Sequence, residues 1–82
     1  MSEEVLINYS INSEIAGHKK NVGVPLLEAA KDIFGQVREK AMQCAIKGNF
    51  IQFTTVEELQ LKLQEAAKRG FSIHCYDEDI GG

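Results

Sequence analysis

Apolar residues recur along this chain with two different periods. Between Pro25 and Gly48 they fall at Leu26, Leu27, Ala30, Ile33, Phe34, Val37, Ala41, Cys44 and Ala45. Steps of three and four place them in one stripe on a helix of 3.6 residues per turn. Pro25 suits a first helical position, which needs no backbone N–H. Lys47 and Gly48-Asn49 supply a positive last turn and a left-handed exit. The pattern therefore predicts one long helix over 25–48. Gly35 lies inside it, in phase, and marks either a kink or a close approach of another backbone. A second stripe, Val56, Leu59, Leu63, Ala66 and Ala67, predicts a helix over about 56–68. Thr55-Val56-Glu57-Glu58 fits a capping box at its start, with Glu58 reaching back to the Thr55 N–H. Lys68-Arg69 and then Gly70 punctuate its end.

The other period is two. Residues 5–11, 50–54 and 71–76 are rich in β-formers and read as strands. Residues 12–24 mix turn formers with the alternating Val22 and Val24, and read either as a loop or as a return strand at about 18–24. Residues 77–82, acidic and closing on two glycines, read as a flexible tail. Residues 1–82 then make a single domain, as their number suggests.

These elements predict an α/β (or α+β) two-layer sandwich, ordered β-(β)-α-β-α-β. Its sheet has three to four strands, and both helices pack on one face. If all strands are parallel, right-handed crossovers on one face put them in sequential order. A ferredoxin-like arrangement with antiparallel pairs is the alternative. Alternating strands leave one sheet face wet. Val5, Ile7, Tyr9, Ile11, Ile51, Phe53, Phe71, Ile73 and Cys75 would be covered. Leu6, Asn8, Ser10, Phe50, Gln52, Thr54, Ser72, His74 and Tyr76 would be open. Of these, Leu6, Asn8, Phe50, Gln52, His74 and Tyr76 are the candidate partner-binding residues, because aromatic anchors among adaptable polar groups suit an interface.

Charge and chemistry narrow the function. Formal net charge is −3, which argues against nucleic acid or an anionic membrane as partner. No window is apolar enough for a membrane span, and the acidic start Met1-Ser2-Glu3-Glu4 lacks the order of a signal peptide. The expected setting is cytoplasmic, where Cys44 and Cys75 read as reduced core thiols. His18, Cys44, His74 and Cys75 show no metal-ligand spacing, and His74 and Cys75 point to opposite faces of a strand. That geometry also argues against a Cys–His nucleophile. Gly17 to Gly23 lacks the Gly-Lys-Ser/Thr ending of a phosphate loop, and the carboxylates form no acid–base pair. No catalytic constellation, cofactor or metal is expected.

The sequence-level reading is a small acidic protein-binding module of inhibitor or adaptor type, of a kind that phages and mobile elements encode. It would act without catalysis, on a protein partner or on its own copy as a homodimer. Single-stranded nucleic acid on the same face is an alternative, with Phe50, His74 and Tyr76 stacking bases. A carrier role is another. Gly81-Gly82 resembles the diglycine of ubiquitin-like and sulfur-carrier proteins, which are activated at its carboxylate. Those folds set two hairpins around one main helix, whereas residues 56–68 here predict a second helix.

Overall fold

The computed structural model of the chain describes residues 4–14 and 17–77. The elements run β1 (Leu6–Ser13), β2 (Gly17–Pro25), α1 (Leu26–Lys40), β3 (Met42–Ile46), β4 (Asn49–Ile51), α2 (Val56–Lys68) and β5 (Ile73–Asp77). They build a small α+β fold around one mixed five-stranded sheet, in the spatial order β2-β1-β5-β3-β4. The central pair, β1 and β5, is parallel, and every other pair is antiparallel. The sequential parallel order does not form. Two hairpins, β1–β2 and β3–β4, precede and follow α1, and β5 inserts between them.

Both helices lie on one side of the sheet, as the stripes require. Ile7, Tyr9 and Ile11 from β1, Met42 and Cys44 from β3, and Ile73 and Cys75 from β5 cluster with Ala29, Ala30 and Ile33 of α1 and Leu59, Leu63 and Ala66 of α2. Burial of this apolar surface is the main force holding the layers together.

The largest correction concerns residues 41–48. The helix predicted over 25–48 stops at Lys40, and Ala41 turns the chain in the left-handed region at φ 49°. Met42, Cys44 and Ile46 then face the core as a strand, which pairs on one side with β5 and on the other with β4. Ala41, Cys44 and Ala45 fit a helical stripe while Met42, Cys44 and Ile46 fit a strand alternation, so spacing alone could not separate the two. Pairing decides it, because β3 completes the hydrogen bonding of β5. Lys47 and Gly48, at φ 52° and 79°, make the two-residue turn into β4 instead of a helix exit. Two positive φ values are what the right-handed twist of a short hairpin demands.

Residues 17–25 form a strand, so the loop reading of 12–24 is set aside. Its alternation is faint because β2 is an edge strand exposed along most of its length. A bulge lies where it passes Ile7 to Tyr9, and the Asn8 side-chain oxygen accepts from the Gly23 N–H there at 2.7 Å. Gly35 is in open space, so no other backbone approaches it.

The second helix forms where the pattern places it. Thr55 Oγ1 accepts from the Glu58 N–H at 3.2 Å. The Glu58 carboxylate reaches back one residue further than expected, to the N–H and hydroxyl of Thr54. Those donors, the Thr54 hydroxyl first, stabilise the carboxylate and hold its pKa below the usual range. At the other end Phe71 N–H donates to Ala66 O and Gly70 N–H to Ala67 O, with Gly70 at φ 76°. This closure satisfies carbonyls that the last turn leaves open. Asp77, expected in a tail, belongs to β5 and accepts from the Glu14 N–H at 3.0 Å. The remainder of that expected tail, 78–82, lies outside the described residues.

Candidate functional site

The face of the sheet turned away from the helices is built by register. Ser10 of β1 pairs with Lys20 of β2 and His74 of β5, His74 pairs with Ala45 of β3, and Ala45 pairs with Phe50 of β4. Because paired residues share a face, these five side chains form a row across all strands, about 19 Å long at ordinary strand spacing. A second row beside it runs His18, Asn12, Tyr76 and Gln43.

Phe50 and Tyr76 form the aromatic end of this face. Phe50 is 66% exposed, and its ring centroid lies 6.3 Å from that of half-buried Tyr76, at a tilt of 57°. Tilted pairs at this separation are favourable beyond the area they cover. Gln52 follows β4 and lines a cleft of about 520 Å³ together with Phe50, Gln43 and Thr54. Ser10 Oγ and His74 Nδ1 are hydrogen-bonded at 2.7 Å. That bond orients the ring and leaves Nε2 for a partner. Ser10 is itself nearly buried at 8% exposure, although it lies on the open side.

The structure thus brings four of the six candidates together: Phe50, Gln52, His74 and Tyr76. Leu6 and Asn8 do not join them. They precede Ser10 by four and two positions and lie about 13 and 7 Å down β1. Asn8 is committed to the bulge, and Leu6 stands near Gly23. Lys20, Gln43 and Ala45 belong to the face and were missed. The sequence pattern leaves 18–24 between a loop and a strand and places 42–46 in a helix. The two-residue Lys47-Gly48 turn was the signal that could have recovered β3.

Two further polar features lie on the helix side. Tyr9 Oη donates to Asp32 Oδ2 at 2.5 Å, and Lys19 Nζ lies 3.2 Å from the same oxygen. Burial first, and then the neighbouring carboxylate, push the Tyr9 phenol far above its usual range. This trio pins β1 and β2 to α1. A cleft of about 500 Å³ between the β3–β4 turn and α2 is rimmed by Lys47, Lys62, Glu65 and Arg69, with Lys47 Nζ 4.7 Å above the Phe71 ring. Cation–π contact of this kind orients the lysine over apolar surface. Among the described residues, no helix is long and apolar enough to cross a membrane.

The chain matches no protein-family model, no curated protein and no solved structure.

Proposed function

We propose that this chain is a non-catalytic carrier or modifier of ubiquitin-like type. Partner proteins bind its open sheet face, and Gly81-Gly82 is the segment handled covalently. The observation that supports this reading is the layout. Two hairpins flank one main helix, β1–β2 before it and β3–β4 after it. The second helix does not displace a hairpin; α2 occupies the connection between β4 and β5 and packs on the same core. Glycine suits the handled segment because backbone without a Cβ can enter a narrow catalytic channel. Gly81-Gly82 follows closely after β5 in the chain and falls outside the described residues.

The open face supplies recognition. Phe50 and Tyr76 are the anchors, with His74, Gln43 and Gln52 as adaptable hydrogen-bonding neighbours. A protein is favoured over nucleic acid because the net charge of −3 would repel a phosphate backbone.

Extract from the native host, supplied with ATP, tests the reading by intact-mass analysis. Where Gly82 bears a free carboxylate, the expected products are an oxygen-to-sulfur exchange at that carboxylate or an amide linking it to a second protein. Both disappear when Gly81 and Gly82 are deleted. A chain whose Gly82 carboxylate is free and which forms neither product is not a carrier. If such a chain still binds a protein partner, and loses it on Phe50→Ala with Tyr76→Ala, the plain inhibitor or adaptor reading replaces the proposal.

A further inference from the structure

The sequence pattern makes Cys44 and Cys75 reduced core thiols. In the fold they are direct cross-strand partners, one in β3 and one in β5. Their sulfur atoms lie 2.7 Å apart, and both residues are buried free cysteines. The separation is well inside ordinary contact between sulfurs and approaches that of a covalent bond. Opposed residues on antiparallel strands have Cα atoms about 4.5 or 5.5 Å apart, within the range a disulfide spans without backbone movement. Cys44 also borders the cleft of about 520 Å³ between α1 and β4, beside Val37, Met42 and Phe53. Of the two buried cysteines, Cys44 is thus the one that borders this cleft.

We infer that Cys44 and Cys75 form a reversible cross-strand disulfide, with a peroxide as oxidant and Cys44 as the first sulfur attacked. The Cys44 thiolate attacks one peroxide oxygen, the O–O bond breaks, and hydroxide leaves and is protonated to water. This gives a sulfenic acid at Cys44. The Cys75 sulfur then attacks the Cys44 sulfur, the S–O bond breaks, and the Cys75 thiol proton passes to the departing hydroxyl, which leaves as a second water. In sum, two thiols and hydrogen peroxide give one disulfide and two waters. Two electrons pass from sulfur to oxygen. A dithiol reverses the change by exchange through a mixed disulfide. The hydrogen bond with the Cys44 sulfur, and then burial, hold the Cys75 thiol protonated well above its ordinary range. Cys75 is accordingly the poorer first nucleophile of the two.

The bond would close a loop over a sequence separation of 31 and tie β3 to β5 between the hairpin and the last strand. Ala45 and His74, its neighbours in the two strands, lie on the open face. Oxidation would thus stiffen the centre of that face.

The test treats the full chain with hydrogen peroxide and reads its intact mass, its titratable thiols after denaturation and its Tm. The expected product is a monomer lighter by about 2 Da, with both thiols lost together and dithiothreitol restoring them. Its Tm rises by roughly 10 °C or more, since loop closure restricts the unfolded chain. Cys75→Ala abolishes the mass loss and leaves oxygen on Cys44. Refolding in a glutathione redox buffer removes access as a variable, and there the same disulfide forms at equilibrium. Two thiols surviving that buffer, a disulfide-linked dimer, or separate oxidation of the two sulfurs would each overturn the inference.

Discussion

Tyr9 and Gly35 show what single side chains do in this fold. The Tyr9 phenol keeps its proton in the folded state because burial and Asp32 both disfavour the phenolate. Its ordinary value is 10.0, so the folded protein holds a proton that the unfolded chain releases above that pH. The stabilising contribution is complete below about pH 10 and is lost as pH rises towards the folded-state value. Tyr9→Phe should lower stability by about 1 kcal/mol at neutral pH through the lost hydrogen bond. It should also flatten the fall in stability above pH 10, read from urea midpoints across an alkaline series. Gly35 makes the opposite case. It sits in α1 with open space where a Cβ would stand. Gly35→Ala should therefore stabilise by about 0.4–1 kcal/mol, mostly by restricting the unfolded chain, with a matching rise in Tm.

At the level of elements, the best-read segment was the one whose ends carry chemistry. Thr55, Glu58 and Gly70 mark α2 by groups that satisfy its open backbone donors and acceptors, and those signals survive in any tertiary setting. The segment 41–48 had no such protection. Its apolar spacing serves a helix and a strand equally, and the choice falls to β5, whose edge needs a partner. β2 failed differently: an edge strand with little buried surface prints little alternation. The Lys47-Gly48 turn offers a direct test of the corrected assignment. Gly48→Ala places a Cβ at φ 79° and should cost about 1–2 kcal/mol in chemical denaturation. At an ordinary helix exit followed by a loop, the same change would leave the β3–β4 pairing untouched, and amide exchange at Cys44 and Ile46 would not accelerate. In the hairpin it should.

At the scale of the whole molecule, the open face is a product of register. Phe50, His74 and Tyr76 share it because β4, β3 and β5 align Phe50 with Ala45 and Ala45 with His74. Phe50 is largely exposed, so Phe50→Ala with Tyr76→Ala should change Tm by only a few degrees while weakening partner binding at least tenfold by titration calorimetry. A large loss of Tm would instead place these rings in the core. The outer edge of β2 carries Lys19 and Lys20, and that of β4 spans only Asn49–Ile51, so neither edge invites strand pairing with a second copy.

Local sequence determined the second helix with its caps, the first and last strands, the covered face of β1 and β5, and the two-layer packing that two apolar stripes demand. Periodicity and capping are short-range properties, so a single chain displays them. Only tertiary structure decided that residues 42–46 join the sheet, that β5 lies between the hairpins, and that Cys44 meets Cys75. Those outcomes depend on which backbone edges are left to be paired once the core closes. No spacing within one segment records that.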